Sequence, residues 1–478
     1  MALLGGAAIL VYNRRQNLAR ITNCATMFLG RTLMVTTAEI VQKNKEYTLA
    51  SWTAQNAWTP IVMDHAEGIY FWDTDGKRYV DWSSQLVNVN IGHCHPHVVK
   101  AIQEQAGKIS FAYPSIATEA RGRLGELLEE VTPGSLSKAF FTNGGTDAIE
   151  NAIKMARMFT GKSKILTRWR SYHGATFGAA TAGGDPRRHS NGPGIPDIVR
   201  IPDPYAYRSP VYRGRTQEEG DAIMADMVEE IVQMEDPKLC AAIIIEGYSG
   251  TSGVIQPSEV YWNRIAEICK KYGLLLIVDE VMSGFGRTGE WFGVDHYPNV
   301  QPDIMAVAKG ITSGYVPLGA TIVSEEIGAY FNDHPLSTGL TYSAHPLAMA
   351  AGVATIEVYR NENLIENSRE MGKVLRRGLM DLAEKHPVVG DIRGAGLHQV
   401  IELVKNRDTR EAMTPWQGPV SEPMAIVTKT LKDEGLSAFV RWNMVFNCPP
   451  LTINEAQLKE ALEVVDHALT KIDHYYEG

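Results

Sequence analysis

Two apolar runs end in side chains that can do chemistry together. Leu274-Leu-Leu-Ile-Val278 stops at Asp279-Glu280, and Ile304-Met-Ala-Val-Ala308 stops at Lys309-Gly310. Short apolar runs bounded in this way read as buried strands. In open parallel sheets, ligands gather beyond the carboxyl ends of the strands. A carboxylate and an amine at two such ends can hold a ligand and pass a proton, although a plain ion pair would use the same two groups. A third run, Phe140-Phe-Thr-Asn143, opens into Gly144-Gly145-Thr146-Asp147. Ala148, Ile149, Ala152, Ile153 and Ala156 follow at the spacing of a helix with a small apolar face. A glycine loop between strand and helix presents free N–H groups and the positive end of the helix dipole, which suits a phosphate. The loop matches neither GxxxxGK[ST] nor GxGxxG, so it signals neither a P-loop nor a dinucleotide fingerprint.

A phosphate cradle, a buried carboxylate and a lysine together describe a site for pyridoxal 5′-phosphate. The lysine condenses with the aldehyde, and the carboxylate keeps a proton on the pyridine nitrogen so that the ring draws electrons. The chain resembles the class III, fold type I aminotransferases in five motifs. These are Thr142-Asn-Gly-Gly-Thr-Asp-Ala148, Ser171-Tyr-His-Gly174, Ile277-Val-Asp-Glu-Val-Met-Ser-Gly-Phe-Gly-Arg-Thr-Gly289, Ala308-Lys-Gly310 and Gly339-Leu-Thr-Tyr-Ser-Ala-His-Pro346. The resemblance runs from about residue 45 to the C-terminus.

The resemblance implies a role for each matching residue. Lys309 is the cofactor lysine and Asp279 the partner of the pyridine nitrogen. Gly144, Gly145 and Thr146 bind the phosphate. Tyr172 stacks on one ring face, Val281 packs on the other, and His173 belongs to the same cofactor motif. A core aromatic followed by a loop histidine would read the same as Tyr172-His173. Thr341 matches the threonine that reaches the phosphate from a second subunit. That implies a homodimer with a shared active site and leaves a tetramer open. Glu246 follows the apolar run 241–245 and matches the family's glutamate near the phenolic oxygen, but the family's proline after it is Gly247 here. Arg287 has no assigned chemistry.

The implied substrates are an amine donor and a keto-acid acceptor. An acceptor carboxylate is best held by a bidentate arginine. Arg441, in Phe439-Val-Arg-Trp-Asn443 ahead of Pro449-Pro450, resembles the mobile arginine of the amine–pyruvate branch. Ala175 stands where ornithine and several 4-aminobutyrate relatives often carry arginine. Val87 stands where some amine transaminases carry tryptophan. Trp58, Phe111, Tyr113 and Trp442 line the pocket, fill the core or meet a partner subunit. The expected activity is transfer of an amino group from an amine or ω-amino acid to a keto acid such as pyruvate, taurine–pyruvate exchange included. A glutamate-semialdehyde-type aminomutase, a 4-aminobutyrate-type 2-oxoglutarate aminotransferase and a dialkylglycine-type decarboxylase are the alternatives within the family.

The elements that must position these residues are legible in part. Strands are expected over 138–142, 165–167, 241–245, 274–278 and 304–308, alternating with helices such as 258–272. That pattern belongs to an α/β fold with a mostly parallel sheet, of the seven-stranded type in the family it resembles. A hairpin is expected over 68–80 around Asp75-Gly76. A long helix over 350–382, short strands over 390–393, 398–403 and 444–446, and a last helix over 454–471 read as a smaller α+β domain. The expected division is an extension over 1–33, an N-terminal part of the small domain over 34–84, a cofactor domain over 85–350 and a C-terminal small domain over 351–478.

Composition sets the outer bounds. The chain has 478 residues, 44% hydrophobic and 21% charged, with a formal charge of −9. That is ordinary for a globular protein and a poor match to a nucleic-acid binder. No apolar run approaches the roughly 20 residues of a membrane span. Five scattered cysteines without a CxxC pair offer neither a disulfide framework nor a zinc site. His93, His95 and His97 alternate as ligands on a strand can, but read as part of a Gly/His/Pro loop. Residues 1–33 hold four arginines and no acid. A cytoplasmic enzyme is expected, or one of the mitochondrial matrix if that segment is a targeting peptide.

Overall fold

The computed structural model describes residues 35–478; the extension over 1–33, and the targeting reading with it, lies outside the described residues. The chain divides into two compact units, Met1–Asp64 with Asp73–Lys77, and His65–Trp72 with Arg78–Gly478. In the first unit, helix Thr37–Tyr47 opens on a capping box. The Thr36 hydroxyl accepts from the Glu39 N–H, and the Glu39 carboxylate accepts from the Thr36 N–H.

The second unit is built on a seven-stranded sheet. Its strands are β1 (Leu136–Thr142), β2 (Lys164–Arg168), β3 (Ile198–Ile201), β4 (Cys240–Glu246), β5 (Leu275–Asp279), β6 (Ile304–Val307) and β7 (Gly319–Ser324), in the order β1-β7-β6-β5-β4-β2-β3. β3, β2, β4, β5 and β6 run parallel, and β7 lies antiparallel between β6 and β1. All residues of β4 and β5 are buried, as a sheet covered on both faces requires.

Alternate residues of these strands enter two separate cores. Ala242, Ile244, Ile277 and Ile304 join Ile149, Ala152, Ile153 and Ala156 of helix α1 (Gly145–Thr160) on one face. Ile243, Ile245, Leu276, Val278 and Met305 join Val228 and Val232 of helix α2 (Gln217–Met234) and Tyr261, Trp262 and Ile265 of helix α3 (Glu259–Tyr272) on the other. Each fully buried Ile or Leu in these layers contributes about 1.5–3 kcal/mol. In-register pairing sets the carboxyl ends of neighbouring strands level: Glu246 faces Asp279, and Asp279 faces Ala306.

The expected long helix over 350–382 is two helices, α4 (Pro346–Asn361) and α5 (Leu364–Lys385). The break falls at Asn363, which takes a left-handed φ of +53°, a conformation asparagine tolerates better than most residues. Beyond it, Val389–Ala395, His398–Asn406, Met444–Asn447 and Phe439–Arg441 form an antiparallel sheet, and α6 (Glu455–Thr470) closes the chain. Tyr70–Asp73 and Arg78–Asp81 pair antiparallel as the hairpin reading expects.

The three alternating histidines diverge onto three carboxylates: His93 Nε2 to Asp81 at 2.8 Å, His95 Nε2 to Glu362 at 2.7 Å and His97 Nε2 to Glu357 at 2.7 Å. Among the described residues no group of His, Cys, Asp and Glu can hold a metal ion, and no helix is long and apolar enough to cross a membrane.

Candidate active site

The carboxyl edge of the sheet gathers most of the residues singled out by type. Lys309 follows β6 in a short turn, Lys309–Ile311, with a left-handed φ of +46°. Such a backbone costs a non-glycine residue energy and is kept where surrounding packing imposes it. Burial lowers the Lys309 amine to about 8, against the opposing pull of the Asp279 carboxylate. About a tenth of such an amine is neutral at pH 7, compared with almost none for an ordinary lysine.

Asp279 ends β5 and is only 4% exposed. Its Oδ1 accepts the Val281 N–H at 2.9 Å, and its Oδ2 lies 2.7 Å from His173 Nδ1. With the carboxylate ionised, Nδ1–H is the donor. His173 is itself buried, and its Nε2 lies 3.4 Å from the Thr167 hydroxyl, which donates to the Ala182 carbonyl at 2.9 Å. The imidazole is therefore turned toward Asp279, with the Thr167 hydroxyl at its back.

Glu246 is beside this pair. Burial, then the nearby Asp279 charge, pushes its carboxyl up to about 8, so it carries a proton at neutral pH. Its Oε1 accepts the Tyr172 N–H at 3.3 Å. The glycine that replaces the family's proline has a structural reason. The Gly247 N–H donates to the Asp279 carbonyl at 3.1 Å, which a proline has no hydrogen to do. A Cβ at position 247 would also lie 2.2 Å from Glu280 Oε1. Glu280 is fully buried, and accepts from the Ser283 hydroxyl and from the N–H groups of Gly293 and Val294.

The glycine loop sits at the start of α1. The first N–H groups of a helix have no partner within it, and Gly144 has open space where a Cβ would stand. Around it the fit is tight. A Cβ at Gly145 would lie 2.8 Å from Val281 Cγ1, and one at Gly174, where φ is +141°, would lie 2.3 Å from Thr146 Oγ1. Thr146 Oγ1 accepts N–H groups from Ala175 and Thr176, each at 3.2 Å, and shares a proton with the Thr176 hydroxyl at 2.9 Å. Thr176 in turn donates to Glu150. The hydroxyl of Thr146 thus locks the Tyr172-His173-Gly174 turn to α1, and the backbone N–H groups remain for an anion. This open, donor-lined cradle, the fixed Asp279 and the softened Lys309 fit pyridoxal phosphate.

Tyr172 is partly exposed beside Glu246, with the Arg187 guanidinium 3.9 Å from its ring centroid. Arg441 ends the edge strand Phe439–Arg441 and lies 4.1 Å over the Trp442 ring. Its Nη2 donates to Asp185 Oδ2 at 2.6 Å. Asp185 is 3% exposed and also takes Arg187, through Nε at 2.7 Å, Nη2 at 3.2 Å and the backbone N–H at 3.0 Å. Burial alone would raise this carboxyl, but the two arginines outweigh it and hold it below the ordinary carboxylate range.

Val87 is buried in the kinked turn Ser84–Val87, at φ +56°. Thr341 is exposed in the loop ahead of α4, next to exposed Tyr342. Phe111 and Tyr113 are exposed, and Trp58, partly buried, belongs to the N-terminal unit. Arg287, without a role in the sequence, is fully buried. It donates to the Leu397 and Pro449 carbonyls at 3.0 and 2.5 Å and to Ser84 Oγ and Asn90 Oδ1 at 3.1 and 2.7 Å. It is a clasp on three distant segments. Asp185 and Arg187 carry no signal of a site in the sequence. Asp-Pro signals only a turn, and nothing local points from it to Arg441.

Comparison with known proteins agrees with this chemistry. The family described as aminotransferase class-III matches residues 52–469. A taurine–pyruvate aminotransferase of Bilophila wadsworthia is 34% identical over 459 residues, covering 92% of this chain and 98% of the relative. The solved taurine:2-oxoglutarate aminotransferase of Bifidobacterium kashiwanohense, in complex with PLP and glutamate, superposes with a TM-score of 0.88 at 43% identity, covering 92% of this chain and 99% of that one. An (S)-enantioselective ω-transaminase from Thermomicrobium roseum superposes with a TM-score of 0.86 at 36% identity, covering 91% and 99%.

Proposed function

Because this chain belongs to the class III aminotransferases and takes pyridoxal 5′-phosphate as its cofactor, we propose that it moves an amino group from an amine or ω-amino acid, aminosulfonates included, to a keto acid, with pyruvate as acceptor. The bound cofactor supplies an aldehyde that takes up the amine and a ring that draws the electrons of the broken C–H bond. Asp279, held by His173 and the Val281 N–H, would keep a proton on the ring nitrogen. Lys309, at the end of β6, would carry the proton between the donor carbon and the cofactor. Glu246, protonated at neutral pH, would donate toward the phenolic oxygen. The N–H groups of Gly145 and Thr146 would take the phosphate, and Tyr172 and Val281 would pack on the ring.

The observation that carries this reading is the level pairing of Glu246 with Asp279 at the strand ends, with a lysine lowered to about 8 beside them. Arg441 binds the acceptor carboxylate. The presence of a second arginine, Arg187, on the same carboxylate favours one further reading. In it, 2-oxoglutarate, with two acid groups, replaces pyruvate as acceptor. Thr341 reaches the phosphate of a second copy. The exposed rings of Phe111 and Tyr342, with centroids 6.0 Å apart, form an apolar surface beside it that supports a homodimer.

A panel of amines and keto acids tests the activity. Turnover is expected with ω-amino acids or aminosulfonates when a keto acid is present, and none with Lys309→Ala. Turnover without any keto acid would replace the transaminase with a mutase. A fully active Lys309→Ala protein would overturn the assignment.

A further inference from the structure

Asp185 stands at an odd place for a buried acid. It lies on no strand end and touches neither Asp279 nor Lys309 in the hydrogen-bond network, yet it is nearly sealed from solvent and holds two arginines, one of them from a distant part of the chain. Arg187 follows it by two residues and grips it with the fork of Nε and Nη2. Arg441 arrives from the C-terminal sheet with a single hydrogen bond to it, Nη2 to Oδ2 at 2.6 Å, and its guanidinium lies 4.1 Å over the Trp442 ring. An arginine that binds a carboxylate well does so with two parallel N–H groups. Arg441 is thus held by a carboxylate but not saturated by it. Arg187, on the same carboxylate as Arg441, lies over the Tyr172 ring, 3.9 Å from its centroid.

We infer that Asp185 is a resident counter-carboxylate for Arg441: it occupies the arginine when the substrate end group is uncharged and gives it up to a carboxylate or sulfonate end group that binds in its place. The inference rests on the transaminase reading for its substrates and adds what decides between them. One pocket must take a neutral amine in one half of the cycle and an acid in the other. A free buried guanidinium would penalise the first, and a permanent ion pair would penalise the second. A carboxylate held bidentately by Arg187 stays charged and in place when Arg441 leaves it, so exchange strands no buried charge. Asp185 acts through Arg441 and is a positioning residue.

The test is Asp185→Asn. Asparagine keeps the Oδ1 acceptor for the Arg187 N–H that starts the turn Pro186–Asn191, and removes the charge that competes with substrate. The expected result is a split. KM for the keto acid falls about three- to tenfold, and KM for an amine with an uncharged end group rises by at least threefold. A purely structural role would move both in the same direction, and that outcome overturns the proposal. In an Arg441→Leu background, Asp185→Asn is expected to change the keto-acid KM less than twofold; an undiminished effect there overturns it as well.

A second readout does not need turnover. Binding of propionate and of ethanesulfonate to the holoenzyme, followed by calorimetry, is expected to tighten three- to tenfold in Asp185→Asn and to be lost in Arg441→Leu. Unchanged anion binding in Asp185→Asn refutes the exchange even if transamination is intact. Tightened binding in a protein that transaminates none of the panel leaves the exchange standing and sinks the activity.

Discussion

Removing the His173 side chain is the sharpest probe of how the site is held. Its Nδ1 gives one of the two hydrogen bonds that fix the Asp279 carboxylate, at 2.7 Å, and the Val281 N–H gives the other. A hydrogen bond to a charged group contributes about 1.5–3 kcal/mol. If that energy serves to keep Asp279 on the ring nitrogen, its loss appears in the barrier. At about 1.36 kcal/mol per tenfold, His173→Ala lowers kcat/KM by about 10- to 150-fold. The cavity left behind also lowers the melting temperature, so stability alone does not decide the matter. His173→Asn does, because its side-chain amide can present an N–H close to where Nδ1 stands. Steady-state kinetics on both variants, each confirmed folded and loaded with cofactor by absorbance, should show Asn recovering at least tenfold over Ala. If His173→Ala keeps kcat/KM within twofold of the parent while melting lower, the imidazole only packs, and Asp279 does not depend on it.

Three other outcomes follow from the same geometry. Gly247→Pro removes the N–H on the Asp279 carbonyl and drives a ring into Glu280, so it should destabilise by about 2–5 kcal/mol in urea melts and cut activity; a stable, active variant would show that the loop tolerates the family's residue. Arg287→Met leaves the Leu397 and Pro449 carbonyls and the Ser84 and Asn90 side chains short of a donor, and a loss of about 3 kcal/mol or more by denaturant titration is expected. Lys309 must be neutral to react with an aldehyde, and its folded-state value is about 8 rather than above 10. Cofactor uptake by the apoprotein, read by absorbance, should therefore speed up as pH rises through about 8 and then level off; a rise that continues unchanged toward pH 10 would show an ordinary lysine.

Local pattern carried far in this chain. The continuous apolar runs of β4, β5 and β6 announce buried parallel strands, because only a sheet covered on both faces uses such runs. The residues that end them, Glu246, Asp279 and Lys309, are legible for the same reason. β3 escaped notice because it is four residues long and carries Arg200. β7 is not among the expected strands, and no periodicity in its sequence encodes its antiparallel direction. The helix break at Asn363 is a matter of one backbone angle.

By itself the sequence determined which strands are buried, where their chemistry-bearing ends fall and which cofactor those ends suit, since each of these depends on residues close together in the chain. Tertiary structure alone decided that His173 holds Asp279, that Arg287 clasps Ser84, Asn90, Leu397 and Pro449, and that Asp185 meets Arg441 across 256 positions. Such partnerships arise from how the elements pack, and a side chain's own neighbours in sequence carry no record of what packing will bring against it.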